Sequence, residues 1–275
     1  MIYLIKGNII LLFYLSFDKI NIVVYFIGGF MNYGVILASG IGSRMKSINI
    51  PKQYFEIDGK PIIIYTLESM FKDDLFDYVY IAINKDYEEL LLKYIDAFII
   101  DEYLDKIRII YGGKERIDTI HNVMEEICKN VIDDDDVIVI HDAVRPFVTK
   151  KILKDSIDAA RKYGAVVTAL PAIDTMLNSI DGSIVNNIPN RNLLYRGQAP
   201  DSFKVKTFID LENNLTVKQK KEITGTSQLC SMNDYTLHMI EGDEINFKIT
   251  TDFDLKLAEY VVREKKNEKI RKRTK

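Results

Sequence analysis

Five apolar runs of strand length, at residues 33–38, 78–83, 107–111, 137–140 and 165–170, are separated by stretches with helical spacing. No other feature restricts the fold as strongly. A run that is apolar at most positions, without strict alternation, suits a strand covered on both faces. The intervening stretches read as helices. Residues 61–71 open on Pro61, a residue suited to a first helical position, and 86–98, 115–128 and 150–163 follow. In 115–128, Ile117, Ile120, Val123 or Met124, and Ile127 recur at the helical period. Strands alternating with helices predict an α/β domain with a mainly parallel sheet and helices on both faces. Thr251 followed by Asp254 predicts one more capped helix start. No repeat or low-complexity linker divides residues 31–275, so they are expected to form one domain.

Composition narrows the function classes. The chain has 275 residues, 47% hydrophobic and 28% charged, which excludes wholesale disorder. A net charge of -3 leaves no global basic field, so nucleic acid is not an expected partner, while a local anion site remains open. Two cysteines exclude a disulfide scaffold and suit a reducing compartment, hence a cytoplasmic expectation. Three scattered histidines give no support to a histidine metal cage. The acidic run at 133–136 and the basic end at 263–275 read as a solvated turn and a solvated tail.

Two segments stand apart. Residues 1–30 are apolar but broken by Asp18 and Lys19, too short in each run to span a bilayer and without a small-residue cleavage site. They are expected to be an extension outside the native protein, which would begin at Met31. Membrane association and an added ordered segment are the alternatives. Residues 171–200 carry Pro171, Asp181-Gly182, Pro189 and Pro200 among short β-like runs, which predicts a projecting β-arm that forms a dimer rather than a plain loop.

Chemistry-bearing residues gather after the strands, where open α/β sheets bind ligands. The first strand runs into Leu37-Ala-Ser-Gly-Ile-Gly-Ser-Arg-Met45, then Pro51-Lys-Gln-Tyr54. Gly40 and Gly42 allow a tight turn with N–H groups facing an anion, and Arg44 and Lys52 add positive charge. The pattern is neither a Walker loop nor a dinucleotide fingerprint, and it suits a triphosphate. A bare strand-to-helix turn is the alternative. Val137-Ile-Val-Ile-His-Asp-Ala-Val-Arg-Pro146 puts Asp142 at the strand end as a candidate Mg2+ ligand, or else a cap. His141 should point to the other face and be structural, with a general base as the alternative, and Arg145 could hold Asp142 or a phosphate. Gly112-Gly-Lys-Glu-Arg opens a helix and could bind a base or simply turn. Lys248, in Asn246-Phe-Lys-Ile-Thr, could reach a phosphate.

Taken together these segments, with Asp174-Thr-Met, Pro189-Asn-Arg and Gln198-Ala-Pro, resemble the cytidylyltransferase family that acts on methylerythritol phosphate and ribitol phosphate; the likeness spans roughly residues 31–264. The resemblance implies a Rossmann-like nucleotidyltransferase fold with a dimerising arm. It implies that Arg44, Lys52 and the glycine loop bind the CTP phosphates, with Arg44, Lys52 and Lys248 catalytic. Ala38, Ser39, Gly40, Gly42, Gly113, Arg116 and Thr119 would contact the nucleotide. Asp142 would hold Mg2+. Arg145, Thr175, Arg191 and Lys248 would hold the alditol phosphate, with Thr175 and Arg191 supplied by the partner's arm in a homodimer. A phosphate monoester is largely ionised at neutral pH, so its oxygen could attack the α-phosphorus without a general base.

Within the family, the ribitol branch is expected, giving CDP-ribitol for a teichoic acid or capsule. Leu194-Tyr-Arg-Gly-Gln-Ala-Pro-Asp-Ser-Phe203 resembles the ribitol pattern, Trp is absent, and Ile245 stands where methylerythritol enzymes tend to have Asp. Ala199, Asp201 and Gly225 depart from both branches. The alternatives are methylerythritol phosphate cytidylyl transfer and a non-catalytic nucleotide-binding regulatory domain.

Overall fold

A computed structural model describes residues 2–5, 9–16, 19–26, 29–40 and 50–273. Strands β1 (Ile2–Ile5), β2 (Ile9–Ser16) and β3 (Lys19–Phe26) pair antiparallel as a sheet of their own within the first thirty residues. Strand β4 (Asn32–Ala38) is followed by a short ribbon, β5 (Glu56–Ile57) with β6 (Lys60–Pro61), and helix α1 (Ile62–Phe71). Then come β7 (Tyr78–Ile83), α2 (Glu88–Phe98), β8 (Ile107–Tyr111), α3 (Arg116–Ile127), β9 (Val137–Asp142), α4 (Lys150–Tyr163) and β10 (Ala165–Pro171). The last part holds β11 (Tyr195–Lys204), α5 (Val205–Asn213), α6 (Val217–Glu222), α7 (Ser227–Met232), β12 (His238–Glu241) and α8 (Asp252–Arg273).

The five apolar runs all become strands of one seven-stranded sheet, ordered β12-β10-β11-β9-β4-β7-β8. Pairs β4–β7, β4–β9, β7–β8 and β10–β12 are parallel, and β11 runs antiparallel to both β9 and β10. The sheet is therefore mixed. Residues 195–204 were expected to belong partly to the arm; they form the long strand that reverses direction, a role hidden by Gly197 and Pro200.

Both faces are covered. Ile36, Val79, Ile81, Val137 and Val139 pack under α1, α2 and α4. Tyr33, Val35, Ile138, Ile140 and Phe203 pack under α3, α5 and α7. A third cluster joins Phe55, Ile57, Val144 and Phe147 to Ala258 and Val262 of α8, behind the turn that follows β9.

Local signals account for the helix ends. Pro61 is the cap of α1 rather than its first residue. The α3 start carries a reciprocal capping box between Glu115 and Asp118. Thr149 caps α4, which stops at Gly164 with φ of 86°, where a Cβ would lie 2.1 Å from the Tyr235 hydroxyl. Thr251 and Asp254 bond reciprocally at the start of α8. Residues 263–273 continue α8, with most of the described side chains exposed, so the solvated end is helical. Within the acidic run, Asp136 is buried and accepts the Met31 and Asp133 amides, so it is a structural anchor rather than a solvated turn.

Candidate active site

Parallel register sets the site. Leu37 pairs with Asp142 and Ile36 with His141, so the ends of β4 and β9 reach one edge side by side. Alternation then sends Asp142 and His141 to opposite faces.

Asp142 is buried at that edge and collects three cations. Arg116 Nη1 donates to Oδ1 at 2.9 Å, Arg145 Nε to Oδ2 at 3.1 Å, and the Lys248 ammonium lies 3.1 Å from Oδ2. Burial alone would raise the carboxyl pKa, but the charges of Arg116, Lys248 and Arg145 outweigh it and hold Asp142 well below the usual carboxylate range. One such pair at about 4 Å is worth roughly 4 kcal/mol at a dielectric near 20, which makes the outcome reasonable. Three cations against one carboxylate leave a surplus of positive charge, an environment for polyphosphate.

His141 is fully buried, with Nε2 3.1 Å from the Arg145 carbonyl and Nδ1 without a partner. Burial pushes its pKa down to about 4, so it is neutral and holds the turn that presents Arg145. It faces away from Asp142, in keeping with a structural role.

The nucleotide side is knit by Thr119. Its hydroxyl lies 3.2 Å from Ser39 Oγ, accepts the Gly113 N–H at 3.0 Å and donates to the Glu115 carbonyl at 3.0 Å. The end of β4 and the Gly112-Gly113 turn thus meet at one hydroxyl. Gly112 is required by closeness: an added Cβ would lie 2.3 Å from Ser39 Cβ. Ala38 is buried at the strand end and Gly40 is open. Gly42 and Arg44 lie outside the described residues. Lys52 begins the short turn Lys52–Tyr54.

Sequence reasoning missed Gln53. It is buried, and Nε2 donates to the Ala38 carbonyl at 2.6 Å and the Gly40 carbonyl at 3.0 Å, pinning the glycine segment to β4. It also missed Asn246, which is fully buried and joins Arg145 to β11. Asp201, directly opposite Ile140 and so on the Asp142 face, accepts hydrogen bonds from the Thr226 and Ser227 hydroxyls, and burial raises its pKa.

Thr175 and Arg191 are exposed on the arm, and Arg191 donates to the Ile173 carbonyl within the arm itself. The structure does not gather them with Asp142 in a single chain. The arm tip turns at Gly182, with φ of 77°, and Asn178 bridges Asn187 antiparallel. Ile180, Ile184, Ile188 and Leu193 along it are exposed.

A profile of the 2-C-methyl-D-erythritol 4-phosphate cytidylyltransferase family matches residues 33–264. The solved 4-diphosphocytidyl-2C-methyl-D-erythritol synthase of Anaerococcus prevotii is 24% identical, with a TM-score of 0.68 over 85% of this chain and 99% of its own. The 2-C-methyl-D-erythritol 4-phosphate cytidylyltransferase of Francisella tularensis is 25% identical, with a TM-score of 0.69 over 84% and 99%. That of Thermus thermophilus is 23% identical, with a TM-score of 0.64 over 85% and 100%.

These matches overturn the ribitol expectation, and the structure shows why its cues misled. Ile245 is partly buried against the α8 cluster, so its side chain reports packing rather than a lost carboxylate beside Asp142. In the 194–203 segment, Tyr195 is exposed, while Ser202 and Phe203 are buried in β11. Much of that pattern describes a strand. The absence of Trp concerns one side chain and does not identify a substrate.

Proposed function

The chain belongs to the 2-C-methyl-D-erythritol 4-phosphate cytidylyltransferase family, and on that premise we propose that it converts CTP and 2-C-methyl-D-erythritol 4-phosphate to the CDP-alditol and pyrophosphate, a step of isoprenoid precursor synthesis. It is a nucleotidyltransferase with the Rossmann-like fold of that family, which removes the regulatory-domain alternative. The observation that carries the cytidylyl-transfer reading on the protein side is the Asp142 cluster, a surplus-positive site beside the Ser39–Thr119–Gly113 junction, and the family match supports the choice of alditol phosphate.

The chemistry follows from charge. An ionised oxygen of the alditol phosphate attacks the α-phosphorus of CTP. The bond from the α-phosphorus to the bridging oxygen breaks, and the electron pair leaves with pyrophosphate. No proton must be removed from the nucleophile, which agrees with a site whose buried histidine faces away. The residues' work is positioning and electrostatic stabilisation. Ala38, Ser39, Gly113 and Thr119 bind the cytosine end in this reading. Arg44, Lys52 and the glycine segment take the phosphates, and Arg116 shares the nucleotide with Asp142. Arg145 and Lys248, with Thr175 and Arg191 from a partner's arm, take the alditol phosphate. The exposed apolar residues of the arm support a homodimer.

Asp142 fits Mg2+. It is ionised, hard and at the edge, and three donors use three of roughly four lone-pair positions on a carboxylate. Among the described residues no group of three or more His, Cys, Asp or Glu could hold a metal by itself, so the phosphates would complete the shell. Mg2+ would supply charge neutralisation of the leaving pyrophosphate. No helix among the described residues is long and apolar enough to cross a membrane.

The test is pyrophosphate release from CTP across a panel of alditol phosphates. Turnover on 2-C-methyl-D-erythritol 4-phosphate well above the others is expected; no release with it would overturn the reading.

A further inference from the structure

Between the arm and the Asp142 cluster lies a set of side-chain bonds that the reaction scheme leaves unused. The arm leaves the sheet after β10 and returns into β11, where Pro171 pairs with Tyr195 and Leu170 with Arg196. The next residues of β11 face the loop that carries Lys248. Gln198 binds the backbone of Asp243 in both directions: its Nε2 donates to the carbonyl at 2.9 Å, and its Oε1 accepts the N–H at 3.2 Å. A side-chain amide here imitates a strand partner. The approach is tight, since a Cβ on Gly242 would lie 2.4 Å from Gln198 Oε1.

Asn246 continues the connection inward. Its Nδ2 donates to the Ala199 carbonyl at 2.7 Å and lies 3.4 Å from Gln198 Oε1. Its own carbonyl accepts Arg145 Nη1 at 2.7 Å, and Arg145 Nε holds Asp142. Two residues on, Lys248 reaches the same carboxylate, and the following Ile249 N–H donates to Val144 at 2.9 Å. Asn246 is fully buried, and its Oδ1 has no partner. An unpaired buried acceptor costs about 1–3 kcal/mol, so the residue is not placed here to maximise stability.

We propose that Gln198 and Asn246 are a positioning pair that holds Lys248 and Arg145 in register with the root of the arm. This rests on the cytidylyl-transfer reading for its consequence, namely that seating of the arm is transmitted to the cations that grip the alditol phosphate. The route is contiguous: β11 to Asn246, Asn246 to Arg145, Arg145 to Asp142, and Lys248 back to Asp142.

The experiment compares Gln198→Ala and Asn246→Ala in the unaltered and the Lys248→Met backgrounds. In the unaltered background each is expected to lower kcat/KM for 2-C-methyl-D-erythritol 4-phosphate at least tenfold, with KM for CTP within twofold, because the cytosine end is held elsewhere. In the Lys248→Met background each should cost at least threefold less than in the unaltered one, the remainder acting through Arg145. Equal losses in both backgrounds would mean a general structural role and overturn the proposal. Hydrogen exchange supplies a readout free of turnover. In Gln198→Ala, exchange over residues 243–249 should accelerate at least tenfold while residues 116–127 are unchanged; unaltered exchange over 243–249 also overturns it. If the unaltered enzyme makes no pyrophosphate, the functional reading has failed and exchange decides the positioning claim alone. Should Asn246→Ala not fold, the half-exposed Gln198 carries both measurements.

Discussion

The ammonium of Lys248 lies 3.1 Å from Oδ2 of Asp142, the oxygen that Arg145 also holds. Both are proposed to take the alditol phosphate, while Arg116, proposed for the nucleotide side, holds the other oxygen at 2.9 Å, so a single carboxylate joins the two groups of cations. On the proposed roles, a phosphate that draws either group of cations away changes what the carboxylate offers the other.

Replacing Asp142 with Asn keeps the shape and removes the charge that three cations share. Steady-state kinetics should show at least a 100-fold loss of kcat that added Mg2+ does not restore. Denaturant unfolding should show a loss of about 2 kcal/mol, because Arg145 is left buried beside a neutral amide. Unchanged turnover at limiting Mg2+ would remove Asp142 from the metal role.

His141 imposes a pH dependence on stability. Its pKa falls from 6.5 to about 4 on burial. Between those values the unfolded chain binds a proton that the folded chain does not, so stability from this group is complete above about pH 6.5 and is lost as pH falls toward 4. The full span corresponds to roughly 3 kcal/mol. Urea titrations at pH 7 and pH 5 should differ by less in His141→Gln than in the unaltered protein; an equal difference would rule out His141 as its source.

Gln53 should matter for nucleotide binding although it need touch no ligand. Gln53→Leu leaves the Ala38 and Gly40 carbonyls without their donor. KM for CTP is expected to rise about tenfold, with KM for the alditol phosphate within twofold and a stability loss of about 1–2 kcal/mol. A rise in both KM values would point to general disruption.

The arm prediction is tested by complementation. Lys52→Ala and Arg191→Ala subunits, each inactive alone, should regain activity when mixed, since a hybrid dimer has one site with both residues native. Sedimentation velocity should find a dimer. An active monomer would contradict this assignment.

The framework was readable in the sequence because it rests on local rules. Continuous apolar runs mark buried strands, and Asp142 was visible as the first carboxylate after one of them. Thr251 and Asp254 announced α8 by spacing alone. What stayed hidden depends on partners distant in the chain. Gln53 looks like any polar residue until the turn brings it under Ala38, and Asn246 gains meaning only when β11 lies beside it. Strand β11 was obscured because glycine and proline in its sequence suggest turns, whereas the neighbours β9 and β10 supply its pairing. The substrate branch was misread because Ile245 was judged by chemical type without knowing that it faces a packing cluster.

The reversed direction of β11 has a consequence for how such an enzyme can diversify. Strand β10 ends, and β11 begins, at the same rim as Asp142, with Pro171 paired to Tyr195 like the two sides of a door frame. Everything from 172 to 194 hangs from that frame without entering the sheet. Lengthening such a segment costs little closure entropy, about 0.6 kcal/mol per doubling. The arm can thus be reshaped, shortened or exchanged by insertion and deletion while the rim keeps its spacing, so that new acceptors or new subunit pairings are tried out against unchanged phosphate chemistry.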